Sequence, residues 1–585
     1  MKRLPYGISD FARIRREDYY YVDKSSYIEL IEQQPPYLFL IRPRRFGKSL
    51  FLAMLQCYYD VAYADRFEEL FGDLYIGKHP TSLHNKFLVL RFNFSEVTSK
   101  IEDVERSFKE YCCIRLLQFV RDYEYLLGKY IWKTIEPVKE NASLLLSAIN
   151  SYATSKGGIR IYLIIDEYDN FTNTILATYG EKRYREATHG EGFIRNFFNV
   201  IKATTTGSGA SVERLFITGV SPVTMDDVTS GFNIGTNISM FPQANNIIGF
   251  SETEVREMIA YYQAEGAITE TSDNLIDIMK PWYDNYCFSS RQSSESMYNS
   301  DMTLYFLNNY LQQGEVPETM VDNNIRTDYS KLRHLIRVDK TFGTNASIIQ
   351  KIVSEGSIVT DIVTAFPAEN ITKTENFKSL LYYFGMLSIQ GTYRGALVLG
   401  IPNLTVREQL YTYLAEAYSK AELFDPDMSE LSSLVMDMAY DGKWEPVFRF
   451  FARELERQSS IREFIEGEAH VKGFLLAYLG LTRGYTILPE HESSKGYADF
   501  YMMPDLLRQP DIAYSYIVEV KYARRDASEA DIAALKQEAA GQLLRYAADE
   551  KVLKTKGNTE LGLITVVFKG WELVIAEKFV DKYEK

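Results

Sequence analysis

At 585 residues the chain exceeds what one hydrophobic core organises, and roughly three or four folding units are expected. An apolar content of 46% with 14% aromatic residues, mostly Tyr and Phe, calls for large buried cores and excludes a disordered chain. The formal net charge of −14 excludes a surface that binds polyanions everywhere, but leaves room for a local basic groove.

The first residues, Met1-Lys2-Arg3-Leu4-Pro5-Tyr6-Gly7, carry charge without an apolar run, so no secretory signal is expected. The longest apolar runs, Tyr37–Ile41 and Ile161–Ile165, are strand-sized and too short to span a bilayer. Cys57, Cys112, Cys113 and Cys287 form no C-x-x-C pattern. They read as reduced core thiols, which implies a cytoplasmic location and no zinc site. There is no low-complexity segment and no repeat at a solenoid period.

In chain order, Tyr37-Leu38-Phe39-Leu40-Ile41 predicts a strand, followed by a helix from Ser49 to Tyr59. Phe87–Leu90 predicts a second strand before a long amphipathic stretch between Ile101 and Val120. Ile161–Ile165 and Leu215–Ile217 complete the set. Continuous apolar strands separated by helices indicate an α/β fold with a parallel sheet covered on both faces. From Ser251 to Leu311 the pattern turns helical, opening on Ser251-Glu252-Thr253-Glu254 with capping-box spacing. Ser289–Ser300 reads as a loop, and a mostly helical region continues to about Tyr440. A break at Asp441-Gly442-Lys443 precedes a last α/β segment with strands at Ser515–Val520 and Leu563–Phe568.

The segment Arg42-Pro43-Arg44-Arg45-Phe46-Gly47-Lys48-Ser49 follows a strand and opens a helix, which is the context a phosphate-binding loop requires. Backbone N–H groups around Arg45, Phe46 and Gly47 can surround phosphate oxygens, aided by the helix dipole. Lys48 would reach the β- and γ-phosphates, and Ser49 would place its hydroxyl on Mg²⁺. Arg42 stands where the standard pattern has its first Gly, so a basic turn before an amphipathic helix stays open as an alternative. Ile161–Ile165 ends in Asp166-Glu167, carboxylates at the mouth of the sheet where α/β folds bind ligands. Asp166 would hold Mg²⁺ through water and Glu167 would polarise the attacking water. The next strand ends in Thr218-Gly219-Val220-Ser221, and the Thr218 hydroxyl is a candidate sensor of the γ-phosphate.

R-P-R-R-F-G-K-S, the I-I-D-E-Y-D strand end, F-I-T-G-V-S and W-Y-D-N-Y at Trp282–Tyr286 together resemble the AAA-ATPase-like family found widely in bacteria. The resemblance covers roughly the first half of the chain. It implies ATP binding and hydrolysis, and an arginine-rich phosphate loop is normal in that family.

Further on, Tyr516-Ile517-Val518-Glu519-Val520-Lys521 reads as a strand. With a side-chain period of two, Glu519 and Lys521 share one face. Gly496-Tyr497-Ala498-Asp499-Phe500 is a second short strand that would bring Asp499 alongside. Two such carboxylates form a hard oxygen site suited to Mg²⁺, with Lys521 serving the water. An exposed Glu–Lys pair on a sheet is the plainer explanation of Glu-x-Lys taken alone. Glu468, however, falls on an apolar stripe running Ile461, Phe464, Ile465, Val471, Leu475 and Tyr478, where a carboxylate is costly unless paired. Gln542 falls on a stripe of Leu535, Ala539, Leu543 and Tyr546, where a satisfied internal hydrogen bond would also explain it.

In this order, Glu468, Gly496–Asp499, Glu519-x-Lys521 and Gln542 resemble the PD-(D/E)XK nuclease superfamily, in particular the small domain fused to AAA-like ATPases of this type. The resemblance covers about the last quarter of the chain. It implies that Asp499 and Glu519 ligate metal, that Lys521 serves the hydrolytic water, and that Glu468 and Gln542 support the site. Tyr497 stands where relatives often carry Arg. Lys521, Arg524 and Arg525 supply local positive charge for a phosphate backbone.

The expected organisation is an AAA-like ATPase core at 1–250, a helical lid with a winged-helix-like part at 251–440, and a restriction-endonuclease-like α/β domain at 441–585. The expected function is an ATP-binding and ATP-hydrolysing protein with a Mg²⁺-dependent nuclease domain acting on DNA, with Mn²⁺ able to serve the second site, no membrane partner, and homo-oligomerisation left open. One alternative is a nucleotide-dependent switch whose C-terminal domain binds nucleic acid without cutting. Another is an ATPase whose C-terminal fold takes a different substrate.

Overall fold

The computed structural model describes residues 1–580 apart from 99, 101, 189–191, 208, 224–233, 293–294, 323–343, 368–369, 371–372, 459–464, 466 and 494–495. The chain divides into two compact units: Met1–Val338 with Val359–Asn403, and Asp339–Ile358 with Leu404–Lys585.

The first unit is built on a parallel sheet of Tyr37–Ile41 (β1), Leu88–Asn93 (β2), Ile161–Asp166 (β3), Val212–Gly219 (β4) and the two-residue Thr236–Asn237 (β5), in the order β2-β3-β4-β1-β5. All of β3 and all but the first residue of β1 are buried, which is why these strands read as unbroken apolar runs rather than alternating ones. Helices Lys48–Tyr59, Val104–Asp122, Ala142–Lys156 and Phe193–Thr205 connect the strands. The strand carrying Thr218 therefore lies between the strand that leads into the phosphate loop and the strand that ends in Asp166. That order puts all three strand ends on one edge of the sheet.

Beyond the sheet, helix Glu252–Ala264 begins with the capping box foreseen at Ser251 and Glu254, both reciprocal hydrogen bonds being present. Helices Ser272–Tyr283 and Ser300–Gln313 follow. A strand at Ser357–Thr360 (β6) straddles the boundary between the units, and Ser388–Tyr393 (β7) and Ala396–Gly400 (β8) form an antiparallel hairpin in the first. The middle of the chain is thus helical with a small β element.

In the second unit, Tyr485–Ser493 (β9), Gly496–Pro504 (β10), Tyr514–Ala523 (β11), Glu560–Lys569 (β12) and Glu572–Val580 (β13) form one sheet in the order β13-β12-β11-β10-β9. The β11–β12 pair is parallel and the rest are antiparallel. Helix Glu529–Tyr546 packs on the sheet through Leu543 and Tyr546, against Tyr501, Ile517, Leu561 and Leu563. Helix Met428–Asp441 stops at Gly442, whose left-handed backbone (φ 71°) marks the break read from the sequence. The edge strands β9 and β13 have no counterpart in the sequence reading, because their runs mix polar and apolar residues and β9 contains Pro489.

The surroundings of Glu468 differ from expectation. Helix Glu468–Leu479 starts at Glu468 itself, after Gly467 in an extended conformation, so Glu468 opens a helix instead of sitting inside a longer one. Ile465 precedes that helix, and Ile461 and Phe464 lie outside the described residues. Among the described residues no helix is long and apolar enough to cross a membrane.

Candidate active sites

At the end of β1 the chain makes a loop in which Arg45 (φ 67°) and Gly47 (φ 88°) are left-handed, and Gly47 caps the N-terminus of helix Lys48–Tyr59. The Lys48 ammonium turns back over the loop and donates to the carbonyls of Arg42 (3.1 Å) and Pro43 (2.9 Å). Burial lowers its proton affinity, while the nearby charges of Glu167 and Asp166 pull it back up. Lysine and acidic strand end therefore share one electrostatic environment, as the sequence pattern required.

Arg42 is the residue that departs from the usual glycine, and the structure gives it a definite job. It is 1% exposed, and its guanidinium donates to the carbonyls of Ile41, Ser239 and Ala244 while lying 4.2 Å from the Phe288 ring centroid. Burial pushes its pKa down to about 10. Phe46 packs edge-on against Tyr286 and Phe288, with ring centroids 4.8 and 5.5 Å away. The phosphate loop is thus anchored to the last residue of W-Y-D-N-Y and to Phe288 just beyond it.

Asp166 is fully buried. Its Oδ1 accepts a 2.8 Å hydrogen bond from Thr218, and Arg91 approaches its Oδ2 at 3.7 Å without hydrogen bonding. A buried carboxylate oxygen without a hydrogen-bond donor fits the water shell of a Mg²⁺ ion, since such an oxygen is costly to leave unsatisfied. Glu167 has a left-handed backbone (φ 53°), and burial raises its carboxyl against the opposing pull of Lys48. Asp169 is also buried, accepting from the backbone of Val220 and Ser221 and from Asn173, so it fixes the turn after β4.

A cavity of about 560 Å³ opens over the loop. Arg44, Arg45, Phe46, Gly47, Lys48, Ser49 and Glu167 form its floor, whereas Asp166 and Thr218 lie outside its lining. Tyr20, Tyr21 and Val22 line it from the N-terminal segment, with Ile248, Phe250 and Met258 also contributing. These apolar residues, Asn93 at the end of β2, and Ser300 and Asp301 at a helix N-terminus were not singled out from sequence. No motif marks them, because they are brought in from distant segments.

In the second unit three acids and two amines converge. Glu519 and Lys521, two residues apart on β11, form a 3.0 Å ion pair with both side chains buried. Asp499 on β10 accepts from the Val520 backbone (2.7 Å), and its own N–H donates to Glu519 Oε2 (3.3 Å). Lys472, one helical turn after Glu468, donates to Asp499 Oδ1 at 3.1 Å. Burial pushes the Glu519 carboxyl up to about 7, with the Asp499 charge adding to the effect. Burial alone would lower Lys521, but Glu519, Glu468 and Asp499 together outweigh it and raise the ammonium. Glu468 is raised by burial and then by Asp499, while the Tyr522 backbone N–H donates to it. A dication would offset the burial and the repulsion that raise Glu519 and Glu468, so the donor set suits Mg²⁺ or Mn²⁺ with water completing the shell. Among the described residues no cluster of three or more His, Cys, Asp or Glu side chains forms a ready-made metal cage.

Gln542 sits on the helix packed over this sheet, with its Oε1 buried and without a hydrogen-bond partner. One turn earlier, Glu538 reaches Lys521 at 3.3 Å. Lys472 and Glu538 were missed in the sequence, since a Lys in a helix among apolar residues and a Glu on an exposed helical face carry no distinguishing pattern. The Tyr497 side chain falls outside the described ones.

The model of the predicted AAA-ATPase family matches residues 5–229, and that of the PD-(D/E)XK nuclease superfamily matches residues 466–578. The chain joins a predicted AAA-ATPase domain to a PD-(D/E)XK nuclease superfamily domain. The AAA-ATPase match takes in the phosphate loop, Asp166 and Thr218, and the PD-(D/E)XK match contains Glu468, Lys472, Asp499, Glu519, Lys521 and Gln542. An uncharacterized protein in the vnfD 5′ region of Azotobacter chroococcum mcd 1 is 32% identical over 324 residues, covering 52% of each chain. The chain thus spans about half the length of the curated relative it matches.

Proposed function

We propose that this protein is an ATPase coupled to a divalent-cation-dependent nuclease that cuts DNA, with an ATPase core at 1–250, a lid region at 251–440 and a nuclease domain at 441–585. In the first site, the loop N–H groups and Lys48 hold the triphosphate, releasing Lys48 from the Arg42 and Pro43 carbonyls. Ser49 and Asp166 would hold the Mg²⁺ that neutralises phosphate charge, and Glu167 orients the attacking water. Thr218 fixes the Asp166 carboxylate and lies outside the cavity lining, which makes it an indirect reporter of the γ-phosphate. The apolar wall around Tyr20 and Phe250 suits a purine base.

In the second site Asp499 and Glu519 would hold a Mg²⁺ or Mn²⁺ ion, which supplies charge stabilisation at the phosphodiester. Lys521 positions the water, Glu468 shares the proton load of the acidic cluster, and Gln542 offers a carbonyl oxygen to the site from the overlying helix. The observation that carries the reading is the packing of Lys521, Glu519 and Asp499 from two strands within hydrogen-bonding reach of one another.

The test uses purified full-length protein on circular duplex and single-stranded DNA. Cleavage in Mg²⁺ or Mn²⁺ is expected to vanish in Lys521→Ala and Asp499→Ala and to survive in Lys48→Ala, which instead loses ATP binding. The net charge of −14 favours a second reading, a nucleotide-dependent switch that binds nucleic acid without cutting. Protein that hydrolyses ATP yet leaves every DNA and RNA intact in both metals would establish that reading and sink the nuclease.

A further inference from the structure

Lys472 is unaccounted for by the nuclease chemistry above, yet it is among the most enclosed charges of that unit. It is 5% exposed, on the second turn of helix Glu468–Leu479, and its ammonium lies 3.1 Å from Asp499 Oδ1. The two amines of the site divide the acids between them. Lys521 takes Glu519 at 3.0 Å, and Lys472 takes Asp499. The other oxygen of Asp499 is already engaged by the Val520 N–H at 2.7 Å. Oδ1 is therefore the Asp499 oxygen with no backbone hydrogen bond, the freer of the two to meet an incoming ion, and it is the one that Lys472 covers.

We infer that Lys472 is an internal counter-ion that occupies the cation position on Asp499 and competes with the divalent cation for it. This rests on the reading of Asp499 as a metal-holding residue. The physical reason is charge balance. Asp499, Glu519 and Glu468 are drawn into a partly buried pocket, and without a cation their repulsion falls on Lys521 alone unless a second ammonium is present. A lysine suits the role better than an arginine, since a compact ammonium on a flexible stem can withdraw from one oxygen without breaking a bidentate grip. Its position on the Glu468 helix, separate from the strands that carry the other ligands, lets it move away while Asp499 stays fixed by Val520. Lys472 is accordingly a positioning residue that sets cation affinity and keeps the empty pocket folded.

The test is calorimetric titration of Mn²⁺ into nucleotide-free full-length protein, with Asp499→Ala identifying the heat that belongs to this site. Lys472→Met is expected to bind Mn²⁺ about tenfold more tightly than wild type, to melt at lower temperature without metal, and to gain more melting temperature on adding Mn²⁺. Lys472→Arg keeps the charge and should show no tightening. If Lys472→Met does not fold, Lys472→Gln provides the same comparison. A folded neutral variant that binds Mn²⁺ no more tightly than wild type overturns the inference, while the metal-site reading stands. Absence of any Asp499-dependent Mn²⁺ binding in wild type overturns both.

Discussion

Thr218 donates a 2.8 Å hydrogen bond to Asp166 Oδ1 across neighbouring strands, with both residues essentially excluded from solvent. Thr218→Val is nearly isosteric and deletes only this donor. It is expected to cost about 1–3 kcal/mol, the range for leaving a buried acceptor unpaired. Denaturant unfolding without nucleotide measures that cost. ATP turnover should fall more than ATP affinity, and an unchanged turnover would show that Thr218 plays no part in the nucleotide cycle.

Arg42 occupies the position where the standard phosphate loop has glycine, yet Arg42→Gly is expected to harm the protein. The change strips the Ser239 and Ala244 carbonyls of their donor and opens a cavity beside Phe288. The combined loss should be about 3–5 kcal/mol, as for other large deletions in a packed interior. A thermal unfolding scan decides it. Unchanged stability would mean that the buried guanidinium is dispensable.

Gly385 backs onto the phosphate loop. Its backbone is left-handed (φ 77°), and a Cβ there would stand 2.9 Å from Cβ and Cγ of Pro43. Gly385→Ala should cost about 1–2 kcal/mol from backbone conformation alone and displace the loop. Binding of a fluorescent ATP analogue should weaken several-fold. Wild-type affinity would show that the loop tolerates the displacement.

The pH response follows from Glu519, whose folded-state carboxyl lies near 7 against an ordinary 4.5. Between these values the folded protein keeps a proton that the unfolded chain has released. The contribution of Glu519 to metal-free stability is then fullest below about 4.5 and declines as pH rises toward about 7. A divalent cation binds the ionised form, so its affinity should climb over the same interval and level off above it. Melting temperature against pH, with and without Mn²⁺, tests both trends. Glu519→Gln should flatten the metal-free decline, and an unchanged profile in that variant would assign it to another group.

The sequence alone was enough for the two families, the parallel sheet and most of the residues that the fold gathers in the two candidate sites. Gly47-Lys48-Ser49, Asp166 and Glu519-x-Lys521 declare themselves because each depends on short, local context, the first on a loop–helix junction, the second on the end of an apolar strand and the third on the alternation of a strand. The fully buried strands β1 and β3 were legible for the same reason, since burial on both faces leaves an uninterrupted apolar run. Tertiary structure decided the rest. Whether Arg42 was a defect or an anchor depended on carbonyls about two hundred residues away, at Ser239 and Ala244. Lys472 and Glu538 joined the second site only through helix docking, and the cavity walls at Tyr20 and Phe250 came from segments far apart in the chain. Such partners leave no periodic trace, because their chemistry is set by what the fold packs against them and not by their neighbours in sequence.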